Sequence, residues 1–125
     1  MNITREIIEY ICDNTAFVVG TDIFQAKLTG TNDVGIVVTH SGGVENESLM
    51  QSIMVNFVAI YDDYDTSQEK LETVWNMFSY SNGFTLSSGN YVHNSTGLKL
   101  PGFITVTEQN KYVFSCSIIC NITRP

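Results

Sequence analysis

Isoleucines recur at helical spacing over residues 3–13: Ile3, Ile7, Ile8 and Ile11 share one side, Glu6, Glu9 and Asp13 are assigned to the other, and Asn14-Thr15 ends the run. This predicts a short amphipathic helix. Residues 16–19 are apolar, and 22–29 alternate, with Ile23, Gln25, Lys27 and Thr29 facing one way and Phe24, Ala26 and Leu28 the other. Gly30-Thr31-Asn32-Asp33 supplies turn chemistry before a β-branched run at 34–39, so the pattern predicts a hairpin. Residues 40–47, polar with Gly42 and Gly43, read as an exposed loop. The longest strand candidate covers 48–62. Ile53, Val55, Phe57, Ala59 and Tyr61 share one of its faces, and Met54, Asn56, Val58 and Ile60 make the other mixed, as expected of a strand with protein on both sides.

A second helix follows Asp62-Asp63-Tyr64-Asp65: Thr66 and Glu69 have capping-box spacing, and Leu71, Val74, Trp75 and Phe78 fall at i, i+3, i+4 and i+7. It is expected to end near Ser81-Asn82-Gly83, with residues 87–101 an irregular polar connection. Strands at 103–107 and 112–122 then form a closing hairpin, with Tyr112, Phe114, Cys116, Ile118, Cys120 and Ile122 facing inward. The order helix, two strands, long strand, helix, two strands predicts an α+β fold: a single domain over 1–125, with a mainly antiparallel sheet and two helices packed on one face.

The chain has 125 residues, of which 43% are hydrophobic, enough for one packed core and too few residues for a separate catalytic lobe. Six Lys and Arg against thirteen Asp and Glu leave a net charge of −7, which argues against gripping nucleic acid. The apolar runs at 16–19 and 57–61 are far short of the roughly 20 residues that cross a bilayer, so no membrane partner is expected. Arg5 is followed by Glu6, Glu9 and Asp13, a pattern unlike a secretory leader. The Asn-x-Ser/Thr sequences at Asn2, Asn46, Asn94 and Asn121 therefore carry no weight.

Candidate chemistry is sparse. Cys116 and Cys120 lie on the apolar face of the last strand, about 13 Å apart at roughly 3.3 Å per residue, too far for a disulfide and without a second ligand pair for zinc. His40 and His93 read as separate loop residues, not parts of a triad. Asp62, Asp63 and Asp65 lack calcium-loop spacing and read as a helix start, with an exposed acidic knob as the functional alternative. Gly42-Gly43 has no phosphate-loop context. No catalytic, cofactor-binding or metal residues are assigned, and an enzyme is not expected.

Three stretches carry a resemblance: 38–43 (Val-Thr-His-Ser-Gly-Gly); 52–65, running into the Leu71/Trp75/Phe78 helix; and Leu100-Pro101-Gly102 with 110–118. In order and kind they resemble the tail terminator, or minor capsid, proteins of long-tailed bacteriophages. The chain departs from the family in having Tyr61-Asp62-Asp63 where a basic residue often precedes the Asp-Tyr segment. The resemblance implies a structural virion subunit that forms a ring, usually of six. Such a ring caps the head-proximal end of the tail tube, stops its polymerisation and presents a surface to the head connector. Its implied partners are further copies of the chain, the tail tube protein and the connector or neck protein, with DNA only passing through. Its implied location is the virion, after assembly in the host cytoplasm. Six copies of −7 carry −42, a charge that would let DNA slide if part of it lined the channel.

Two other classes fit the residues: a head-completion or neck adaptor, and a small-ligand-binding or enzymatic α+β module, which needs convergent polar groups in a pocket. Candidate inter-subunit or partner contacts are Gly42, Gly43, Glu45, Glu47, Tyr61, Asp62, Asp63, Tyr64 and Tyr91, because exposed tyrosines and acids on loops suit interfaces.

Overall fold

The isoleucine stripe forms α1 (Ile3–Asn14), with Ile3, Ile7, Ile8 and Ile11 all buried. In the computed structural model, which describes residues 3–45 and 50–123, the strands are β1 (Ile23–Gln25), β2 (Gly35–Glu45), β3 (Met50–Tyr61), β4 (Tyr80–Ser81), β5 (Phe84–Thr85), β6 (Tyr91–Val106) and β7 (Tyr112–Thr123). They make one sheet in the order β1-β2-β3-β7-β6-β4, with β5 also paired to β6. Only β1 with β2 is parallel among these ladders. The second helix, α2 (Tyr64–Phe78), and α1 lie against the same sheet face, so the expected α+β architecture is present.

Period two decides what that face buries. Ile53, Val55, Phe57, Ala59 and Tyr61 of β3 and Phe114, Cys116, Ile118, Cys120 and Ile122 of β7 point into the core. Leu71, Val74 and Phe78 of α2 meet them, each fully buried side chain stabilising by about 1.5–3 kcal/mol. The Phe78 ring joins four elements: it lies 5.9 Å from Phe57 and from Tyr10, and 5.8 Å from Phe84. The opposite sheet face has no helix among the described residues. There Ser117 Oγ donates to Asn56 Oδ1 (2.7 Å), and Ser52 Oγ donates to Asn121 Oδ1 (2.6 Å). Met54, Val58, Ile60 and Ile119 are half-buried between these polar pairs.

The structure corrects several expectations. Residues 22–39 are not a hairpin: β1 has three residues and runs parallel to β2, so the chain must travel back through 26–34 before pairing. Residues 40–45 are strand, not loop. The β2–β3 register passes from Ser41↔Met54 to Val44↔Ser52, so Gly42 and Gly43 together oppose one residue, a β-bulge that absorbs the glycines without ending the strand. The cap of α2 is Asp63, whose Oδ2 accepts from the Thr66 backbone N–H and hydroxyl, both at 3.1 Å; Thr66 is the cap's partner, not the cap. Helix α2 ends at Phe78, and the residues after it become β4. Glu6, assigned to the wet side of α1, is only 4% exposed.

The largest correction concerns 87–101. From Tyr91 this is the first part of β6, a sixteen-residue strand. Its alternation is scrambled because the register against β7 shifts four times, leaving His93, Leu98, Leu100, Pro101 and Ile104 without a partner opposite. Against β3, by contrast, β7 pairs without a shift from Met50↔Thr123 to Tyr61↔Tyr112.

Candidate interaction surface

β6 has two edges, and only one is filled along its whole length. β5 pairs with Tyr91 and Val92, β4 pairs with Ser95 and Thr96, and Gly97 N–H donates to Ser79 O at 2.9 Å. Beyond Gly97 the outer edge meets no strand among the described residues. Along 97–106 the exposed side chains are Leu98 (54%), Leu100 (72%), Phe103 (46%), Ile104 (50%) and Val106 (42%), and Lys99 is the sole charge.

Three of these five are among the residues the register leaves unpaired: Leu98 and Ile104 are each an extra residue, and Leu100 shares with Pro101 the place opposite Cys116. A bulged residue is turned out of the pleat, so the bulges aim apolar side chains away from the sheet. The same shifts, with Pro101 lacking an N–H, spoil the edge as a template for strand addition. What the edge offers is side chains. Five exposed apolar side chains within ten residues of one strand are the kind of display that marks a contact surface. Phe103 holds the segment in place, with ring centroids 5.6 Å from Phe114 and 5.5 Å from Tyr64.

The contact candidates expected from the sequence fall at two ends of the sheet. Tyr61 lies in the core at 8% exposure, and its hydroxyl has no hydrogen-bond partner; burial first, then Asp22, pushes its pKa up to about 12. It is not available to a neighbour, because its place on β3 makes it the last inward residue of the strand. Asp62 is paired with Lys111, which also reaches Asp33 at 3.1 Å, and Asp63 caps α2. Both acids are thus engaged within the chain. Tyr64 is 43% exposed, with its ring 4.8 Å from Phe114, and Tyr91 is 39% exposed against the His93 edge. Gly42, Gly43 and Glu45 belong to β2, and Glu47 lies outside the described residues. The register gathers the described candidates at two ends of the sheet: Glu45 lies on one row with Gln51, Ile122 and Val92, next to Tyr91, while residues 61–64 leave the opposite end of β3. In the sequence Gly97 and Pro101 mask the 97–101 part of the β6 edge as a loop; the signal for it is the density of Leu, Phe, Ile and Val around them.

Groups with reactive potential are held apart. His40 and His93 are in strands, not loops: on β2, His40 Nδ1 is 2.7 Å from Thr4 Oγ1 of α1, and His93 on β6 meets Thr123, with β3 and β7 between the two histidines. Burial pushes the thiols of Cys116 and Cys120 up to about 12, which suppresses the thiolate. Among the described residues no group of three His, Cys, Asp or Glu is placed to hold a metal ion. The buried Glu6 carboxylate is occupied structurally: Oε1 accepts from the Ser88 backbone N–H (3.2 Å) and hydroxyl, and Asn90 Nδ2 donates to Oε2 at 3.2 Å. With Ser87 Oγ donating to Glu9 Oε2 at 2.6 Å, α1 clamps the turn that leads into β6.

Clefts among the described residues include the following pair. One, about 350 Å³, lies between α1 and residues 19–25, which end in β1, with the apolar Ile8, Cys12 and Val19 and the charged Arg5, Glu9 and Asp13 in its wall. The other, about 250 Å³, includes Thr4, Val38 and His40, and is smaller than the usual range for a small-molecule site. No protein-family model matches the chain, and no curated protein matches it.

Proposed function

We propose that this chain is a structural virion subunit that forms a ring on the head-proximal end of a bacteriophage tail tube, ends tube polymerisation there and forms the surface that joins the head. The observation that carries this reading is the open edge of β6, where five apolar side chains stand in solvent along ten residues. An assembly subunit requires such a surface, and an enzyme acting alone has no use for it. The sequence resemblance supplies the particular assembly. The scattered histidines, the protonated core thiols and the structurally occupied Glu6 support a role without catalysis.

The test is direct. The purified chain is mixed with polymerising tail-tube subunits of its own phage, and tube length and ends are examined by electron microscopy. Tubes of fixed length with a cap at one end are expected. Tubes that lengthen unchanged refute the terminator role; if the chain is then found on the head connector, it is a neck adaptor.

A further inference from the structure

We infer that the open edge of β6 docks against the α1–β1 edge of a second copy of this chain, so that copies join head to tail. This rests on the ring reading above and names its interface. The first argument is register. Ile23 pairs with Ile36, Ile36 with Ala59, Ala59 with Phe114, and Phe114 with Phe103, so one continuous row of the sheet runs from β1 to the displayed part of β6. The two edges are at the same height on opposite sides of the sheet. Setting one copy beside the next along the row brings them face to face.

The second argument is surface chemistry. The receiving edge carries the 350 Å³ cleft, whose wall combines the apolar Ile8, Cys12 and Val19 with the charged Arg5, Glu9 and Asp13, and Val18 and Val19 stand 55% and 63% exposed at its side. These apolar groups suit Leu98, Leu100 and Ile104. The third argument is charge. Lys99, which donates to Ser115 Oγ at 3.2 Å, is the sole charge along 97–106. In the cleft wall Arg5 and Glu9 pair with each other at 3.5 Å and leave Asp13 as the net charge. Neither Lys99 nor Asp13 belongs to an ion pair of the chain among the described residues. Docking brings them together. A two-fold contact of β6 with β6 would instead place two Lys99 side chains in one interface with no acid from either edge. The contact therefore uses two different patches on each copy, the kind that closes into a ring when its rotation divides a full turn.

The experiment is sedimentation of the full chain over a concentration series, with circular dichroism confirming that each variant folds. Lys99→Glu and Asp13→Lys are each expected to weaken self-association about three- to tenfold, and the double variant, which restores an opposite pair across the interface, to recover most of that loss. Leu100→Ser is expected to weaken it about tenfold or more, with little response to salt. Wild-type association in which the two charge reversals do not compensate overturns this interface and leaves the ring reading standing. A chain that stays monomeric up to about 1 mM also overturns it, while the tube-capping test still decides the ring reading.

Discussion

Gly97 is where α2 and the displayed edge of β6 meet, and replacing it with Ala perturbs a single contact. A Cβ at this position would lie 2.2 Å from Trp75 Cη2, 2.7 Å from Cζ2 and 3.0 Å from Cζ3, so the indole must leave its place. Gly97 is not among the glycines with positive φ, so the backbone itself accepts Ala. Removing a strand glycine would on its own stabilise by about 0.5–1 kcal/mol through the unfolded state. Overpacking works against this: a forced shift of a packed ring costs about 1–3 kcal/mol, and Trp75 is only half-buried, which limits the penalty. The net expectation is a loss of about 1–2 kcal/mol, or roughly 3–6 °C of melting temperature per kcal/mol for a chain of this size. Trp75 is the one tryptophan, so its emission reports the displacement directly as a shift to longer wavelength. Urea unfolding followed by circular dichroism gives the energies in wild-type and Trp75→Leu backgrounds. In the Leu background Gly97→Ala is expected to be neutral or stabilising. An equal loss in both backgrounds would refute the clash as the cause, because the ring it invokes is no longer there.

Other predictions follow from the same structure. Glu6→Ala leaves the turn at 88–90 without its acceptor and is expected to cost about 1–3 kcal/mol in urea unfolding, with faster amide exchange in that turn; Glu6→Gln, which keeps one acceptor, should cost less. Asp63→Ala removes the α2 cap and is expected to cost about 1 kcal/mol by the same assay. The thiols of Cys116 and Cys120 rise from 9.0 to about 12 and Tyr61 from 10.0 to about 12 on folding, chiefly through burial, so the unfolded chain loses these protons first. Their contribution to stability is full below about pH 9 and declines as pH rises toward 12. Lys111, raised by its hydrogen bonds to Asp62 and then Asp33, acts in the same direction above its usual 10.5. A Cys116→Ala/Cys120→Ala variant is expected to be less stable at neutral pH but flatter between pH 9 and 10, where the thiols dominate; an unchanged slope in melting temperature against pH would argue against their burial.

The α+β class, both helices and the inward faces of β3 and β7 were legible because each is a local periodic signal: isoleucines at helical spacing in α1, Leu71, Val74 and Phe78 in α2, alternation from Ile53 to Tyr61 and from Phe114 to Ile122. The inward position of the two cysteines followed from the same alternation. The exposed apolar edge of β6 was not legible, because Gly97, Pro101 and Gly102 interrupt the local alternation there. Nor was the partner of Asp62 legible: Lys111 stands 49 positions away, and Asp62 stays exposed beside it.

What the sequence determined by itself, then, is the set of faces each segment must bury, since burial follows from the spacing of apolar residues along one chain. What only the tertiary structure decided is where that spacing is overruled. Glu6 is buried because Ser88 and Asn90 arrive from more than eighty residues away to satisfy it. Gly42 and Gly43 remain in a strand because β3 supplies a continuous partner. Leu98, Leu100 and Ile104 face solvent because β7 holds β6 in a register that leaves them unpaired. Pairing partners and register are properties of the assembled sheet, and no single segment carries them.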